Sequence, residues 1–193
     1  MYNFKNNKVT KKEKKRDILY CANVADAIKD NMQFPSFKMQ RDSKFEIISA
    51  VSKSRFNMDI SLAPSEKERE YNFFKGITDG MENIKIIKNC NIENIIDKYK
   101  IIIIDYPHSA VTPYAMISNA KVIFYLKDKT TINNWALLDD LDVKVVYNKL
   151  ELEKFLDSFK FNIYPWNHTR ALTKGIYGKP IEAISDTIRE LIK

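Results

Sequence analysis

After residue 16, apolar and polar positions fall into a repeating rhythm of short apolar runs and longer amphipathic stretches. Residues 17–22 (DILYCA) read as a first strand, followed by an irregular polar stretch with Pro35 and a helix over 44–54. Residues 57–62 (NMDISL) alternate and are bounded by Pro64, which predicts a second strand. Ser65 and Glu66 open a helix that runs to about Thr78 and stops at Gly80. Residues 83–88 (NIKIIK) form a third strand, and Asn91 caps a helix over 92–99. Then comes 100–105 (KIIIID), whose four consecutive isoleucines suit a strand covered on both faces, and so the centre of a sheet.

The rhythm continues through a short helix over 112–119, with Pro113 in its first turn where a missing N–H costs nothing. A strand over 121–126 (KVIFYL), a helix over 135–141, a strand over 143–147 and a helix over 151–159 follow. A last helix over about 180–191 carries an apolar stripe at Ile181, Ile184, Ile188 and Leu191. Strands alternating with helices imply parallel pairing through crossovers. The expected fold is therefore α/β: one doubly wound, mainly parallel six-stranded Rossmann-like sheet with helices on both faces, over residues 17–193. In such sheets ligands bind beyond the carboxyl ends of the strands, near the reversal of strand order. That rule singles out two loops, 63–66 and 105–112.

Composition changes the picture mainly by exclusion. The chain has 193 residues, 45% hydrophobic and 30% charged, which suits a globular domain rather than disorder. No apolar run approaches the ~18 residues a membrane span needs, and no apolar stretch follows the amino-terminal lysines as in a secretory signal. The expected location is the cytoplasm. Cys21 and Cys90 lack any metal-ligand spacing, and only His108 and His168 could join them, so no metal site is expected. The two cysteines read as reduced, mostly buried thiols.

The net charge of +7 is concentrated in a leader, residues 1–16, where Lys5, Lys8, Lys11, Lys12, Lys14, Lys15 and Arg16 face a single Glu13. The rest is close to neutral. The leader reads as a flexible solvated segment. It leaves room for peripheral association with anionic lipid at the inner face of the membrane. It has no aromatic residues among its lysines for base stacking, so no nucleic-acid partner is expected.

The most informative stretch is Asp105-Tyr106-Pro107-His108-Ser109-Ala110-Val111-Thr112-Pro113. A carboxylate ends a wholly apolar strand, and small hydroxyl residues lead into a helix. Ser109 or Thr112 could cap that helix and leave backbone N–H groups for an anion, with His108 adding a charge-assisted bond to a diphosphate. The same residues would equally serve a plain loop, Asp105 and Ser109 satisfying backbone groups and His108 lying exposed.

Residues 105–126 (DYPHSAVTPYAMISNAKVIFYL) resemble a loop–helix–strand in the carboxyl-terminal half of two-Rossmann-domain (GT-B type) glycosyltransferases. The nearest relatives are the bacterial surface-polysaccharide transferases and the CDP-glycerol glycerophosphotransferases. There, a strand ending in Asp precedes a Ser/Thr pair, a short helix and a strand similar to 119–125 (NAKVIFY). Residues 174–192 (KGIYGKPIEAISDTIRELI) resemble the closing helix of those families.

The resemblance implies group transfer from a nucleotide-activated sugar or alcohol donor, with no resident cofactor. It implies phosphate contacts from Ser109 with His108 or Thr112, flanked by Asp105 and Tyr106, and a second phosphate or ribose contact from Ser65. The loop 89–92 would lie against the base. It also implies a partner, a second acceptor-binding domain or chain that supplies the base, for which 193 residues leave no room. Departures are visible. Leu62 and Ala63 stand where relatives carry Lys and His before Pro64, Tyr114 stands near a frequent Glu, and no glycine-rich phosphate loop is present. The alternative is a non-catalytic α/β interaction module. Trp166–Arg170 and Asp139–Asp142 read as a packed loop and a helix end rather than as sites.

Overall fold

The computed structural model describes residues 16–23, 37–62, 67–88, 90–106, 109–118, 120–127 and 143–160. Within them, strands β1 (Arg16–Cys21), β2 (Met58–Ser61), β3 (Ile84–Ile87), β4 (Tyr99–Ile104), β5 (Lys121–Tyr125) and β6 (Val143–Val146) form one sheet. The order is β3-β2-β1-β4-β5-β6 and every neighbouring pair is parallel. The chain thus builds outward from β1 in one direction, crosses back, and builds outward from β4 in the other. The α/β, doubly wound reading holds.

Helices α1 (Phe37–Ser52), α2 (Lys67–Thr78) and α5 (Lys149–Ser158) cover one face. The short helix α3 (Ile92–Ile95), its 3₁₀ continuation Ile96–Lys98, and α4 (Thr112–Ile117) cover the other. The isoleucine run explains why both faces need covering. Ile101 and Ile103 pack with Ile47, Ile48, Phe74 and Leu152, whereas Ile102 and Ile104 pack with Ile96, Ala115 and Met116. All four are fully buried, between β1 and β5. Successive strand residues point to opposite faces, so only a strand between two helical layers can bury four in a row.

Three boundaries differ from the sequence pattern. The first helix begins at Phe37 rather than 44, because Lys44 occupies a buried position on its apolar stripe and disguises the period. The third helix ends early and Tyr99 opens β4, its hydroxyl donating to Asp59 at 2.7 Å. Arg16, grouped with the leader, is the first residue of β1 and donates to the same carboxylate at 2.6 Å. The expected cap and stop are in place: Asn91 begins α3 by accepting from the amide of Glu93, and Gly80 takes a φ of 75° after α2. The expected helices over 135–141 and 180–191, and the segments 139–142 and 166–170, lie outside the described residues.

Truncating Ile103→Ala is expected to lower unfolding free energy by about 2–5 kcal/mol, read by urea denaturation. Gly76, inside α2, has nothing within 4 Å of where a Cβ would stand. Gly76→Ala is expected to raise stability by about 0.4–1 kcal/mol in the same assay.

Candidate functional site at the reversal of strand order

Strand order reverses between β1 and β4, and their carboxyl ends carry the densest buried polar cluster among the described residues. Asp105, the residue after β4, turns inward. Its Oδ2 accepts from the Tyr20 hydroxyl of β1 at 2.7 Å, and its Oδ1 from the backbone N–H of Asn23 at 2.9 Å. Lys44 of α1 reaches the same spot, with Nζ 3.3 Å from Asp105 Oδ2 and donating to the Asn23 carbonyl. Glu70 of α2 lies 3.7 Å from that ammonium. The side chains of Lys44, Asp105 and Glu70 are 0%, 4% and 8% exposed. Burial, and after it the Asp105 charge, pushes the Tyr20 hydroxyl well above its ordinary pKa, so Tyr20 stays a donor.

The geometry assigns a task to this cluster. Asp105 takes the amide of Asn23 and Lys44 takes its carbonyl, so the last described residue after β1 is gripped from both sides. The Lys44 ammonium, already met by Asp105, Glu70 and the Asn23 carbonyl, is committed to protein rather than offered to a phosphate.

Of the six positions expected to contact a donor, Asp105, Tyr106, Ser109 and Thr112 are described, and they lie together beyond β4. His108 and Ser65 lie outside the described residues. The expected cap is corrected. Val111 is the N-cap of α4, without a side-chain cap, and Ser109 Oγ instead accepts from the amide of Val111 at 3.3 Å. The amide of Ser109 donates to Tyr106 O at 3.1 Å and that of Thr112 to Ser109 O at 2.9 Å. The turn thus uses these amides itself, a consequence of packing two tight turns ahead of a six-residue helix. Thr112 and Tyr106 are buried and Ser109 is half-buried. Asp105 satisfies backbone, the plain-loop alternative the sequence left open for it.

The sequence reading missed Lys44, Tyr20 and Glu70. A signal existed. Lys44 shares a helical stripe with Ile47, Ile48 and Val51, and Glu70 shares one with Phe74 and Ile77. A charged residue on an apolar stripe must be paired inside the fold.

Two flanking groups complete this end of the sheet. At β5, the Tyr125 hydroxyl donates to Glu46, which Lys127 also pairs at 2.6 Å. Burial pulls the Glu46 carboxyl upward, but the Lys127 and Tyr125 bonds outweigh it and hold its pKa below the ordinary value of 4.5. At β2, Ser61 Oγ lies 3.3 Å from Cys90 Sγ, while Cys21 pairs with Ser61 in register. Both cysteines are free thiols. Burial, reinforced by the charge of Asp105, drives the Cys21 thiol far up, so it stays protonated and unreactive.

Neither a family profile nor a curated protein sequence matches the chain. Among solved structures, it is similar to a protein described as a UDP-N-acetylglucosamine 2-epimerase from Listeria monocytogenes. The identity is 18%, over 83% of this chain and 43% of that one, with a TM-score of 0.49. It is also similar to the glycosyltransferase SnogD from Streptomyces nogalater, with 10% identity over 88% of this chain and 46% of that one, and a TM-score of 0.41. The chain spans less than half the length of either. At these values the fold class rests on the strand order itself. Among the described residues, no helix is long and apolar enough to cross a membrane.

Replacing Asp105→Ala leaves the Lys44 ammonium with less compensation and is expected to cost about 3–5 kcal/mol in denaturant unfolding. Lys44→Met combined with Asp105→Asn should cost less than the sum of the single changes, because no buried cation is then stranded. Glu46 has a depressed folded-state pKa, so its contribution is complete above the unfolded value near 4.5 and is lost as pH falls through the lower folded value. Glu46→Gln is therefore expected to flatten the acid limb of a melting-temperature profile below about pH 4.5 while leaving its slope above pH 6 unchanged.

Proposed function

We propose that this chain is the nucleotide-binding domain of a transferase that uses a nucleotide-activated donor, a nucleotide diphosphate sugar or a CDP-alcohol, in surface-polysaccharide synthesis. The observation that carries the reading is the reversal of strand order between β1 and β4, with their carboxyl ends pinned together by Asp105. In a doubly wound sheet that position forms the floor of a ligand crevice. The similarity of residues 105–126 and 174–192 to GT-B glycosyltransferases and CDP-glycerol glycerophosphotransferases supplies the chemical class. The similar solved structures carry no weight in this reading.

On this reading Asp105 positions the crevice rather than touching the donor, with Lys44 and Tyr20 beneath it. Contact with the diphosphate falls to the His108 imidazole and the Ser109 hydroxyl, with Ser65 as a second phosphate or ribose contact. With a nucleotide diphosphate sugar, the acceptor hydroxyl bonds to the sugar's anomeric carbon as the bond from that carbon to the diphosphate oxygen breaks and the nucleoside diphosphate leaves. With a CDP-alcohol, it bonds to the phosphorus bearing the alcohol as the diphosphate P–O bond breaks and CMP leaves. The hydroxyl proton passes to a base on the acceptor-binding domain or chain. The domain works in the cytoplasm, and the basic leader offers a route to the anionic inner membrane face.

Calorimetric titration with UDP, CDP and GDP is expected to show binding by one of them. Replacing His108 and Ser109 together by Ala should weaken it by about 1–3 kcal/mol, with folding intact. Silence from all three nucleotides at millimolar concentration would remove the donor-binding reading. A second reading, a non-catalytic module that assembles with another chain, is favoured by one specific observation. The amides of Ser109, Val111 and Thr112 are already donated within the turn. That reading expects silence in the titration.

A further inference from the structure

We propose that an anionic phospholipid surface is held against the amino-terminal end of the sheet, so that the domain stands on a membrane with its crevice turned away from the lipid. The location at the inner membrane face rests on the reading above; the new element is the face that meets the lipid. Lys5, Lys8, Lys11, Lys12, Lys14 and Lys15 stand against Glu13 in the run that leads into β1. A run of this density is drawn to anionic headgroups. It leaves no gap before the strand. Lys14 and Lys15 are two residues and one residue ahead of Arg16, which opens β1. At ~3.8 Å between successive Cα atoms, their backbones lie within about 8 Å of that strand end.

The structure gives this run a firm root. Arg16 donates to Asp59 of β2 at 2.6 Å, while Asp17 accepts from Lys100 of β4 at 2.7 Å and from the Asn57 amide at 3.1 Å. The start of β1 is therefore clamped to both neighbours, and a pull on residue 15 is carried by the sheet rather than by one frayed strand. Because β1 is the third of six strands, the pull acts near the middle of the sheet and not at an edge. Every neighbouring pair is parallel, which puts all the carboxyl ends, and the crevice between β1 and β4, on the far side. The six residues of β1, at ~3.3 Å each, separate the two ends by about 20 Å.

The connections at the amino-terminal end carry charge in near balance, with Lys53, Arg55 and Lys98 set against Asp79, Glu82 and Asp97. They neither add to the attraction nor oppose it, so the run ahead of β1 sets its sign. Nucleic acid is the other polyanion that lysines recognise. Single strands fit less well, because the run has no aromatic residue among its lysines for bases to stack on.

The test is equilibrium binding of the full chain to vesicles of phosphatidylcholine with and without phosphatidylserine. Binding is expected only with phosphatidylserine and should weaken with added salt. It should fall about tenfold or more when Lys11, Lys12, Lys14 and Lys15 are all changed to Gln. Orientation is read by energy transfer from a dye to a lipid-borne acceptor, in a Cys90→Ser background. A dye on Lys98→Cys, just ahead of β4, is expected to transfer more strongly than one on Ala110→Cys, at the crevice end; both positions are exposed. Lys5→Gln with Lys8→Gln should weaken binding and keep that difference, whereas Lys14→Gln with Lys15→Gln should narrow it. The proposal is overturned if phosphatidylserine vesicles are not bound, if neutral ones bind equally, or if the four substitutions change nothing. A dye at position 110 that lies as close to the lipid as one at position 98 overturns it too. So does tighter binding to an oligonucleotide, single- or double-stranded, than to vesicles at equal phosphate concentration. No nucleotide donor enters these measurements, so their failure and that of the donor titration are separate outcomes.

Discussion

A buried ammonium has to be neutralised where it lies, and that requirement organises this fold. Lys44 is fully enclosed, and taking such a charge out of water costs several kcal/mol even after relaxation. The Asn23 carbonyl, Asp105 and Glu70 meet it, and the ring of Phe74 lies 5.5 Å away. These groups come from the end of β1, the end of β4, α1 and α2. Meeting together at Lys44, they tie the carboxyl ends of β1 and β4 to α1 and α2. A buried ion pair is a poor source of net stability. Here it acts as a geometric lock at the place where a doubly wound sheet opens its crevice.

The opposite end of the sheet is closed by different means. Arg16 and Tyr99 share the Asp59 carboxylate, and Lys100 and Asn57 share Asp17, which knits β1, β2 and β4 at their starts. The Asn83 side chain donates to the carbonyls of Val51 and Phe56, fastening the end of α1 to the loop before β2. Backbone turns are tight there. At the carboxyl end the longer connections leave from a rigid rim, the usual arrangement when loops carry function on a fixed scaffold.

Helix α1 is the element on which these features converge. One stripe, Ile47, Ile48 and Val51, lies in the core; Lys44 reaches the crevice floor; Asp42 and Glu46 hold the end of β5; Arg41 and Phe45 face α2.

The sequence by itself determined the α/β class, the six strands and the central place of the isoleucine run. Side-chain period and β-branched runs follow from local geometry, and four apolar residues in succession have one physical home. It also located the end of β4 as the place to look for a site. What it could not assign was the direction of the Asp105 carboxylate or the partners of the Ser109, Val111 and Thr112 amides. Asp105 is separated from Tyr20 by most of the sheet's chain length, and from Lys44 by two helices and three strands. Only tertiary packing brings those groups within hydrogen-bonding distance. Local periodicity chooses elements, whereas long-range electrostatic satisfaction chooses which polar side chains turn inward, and that second choice was made by the folded structure alone.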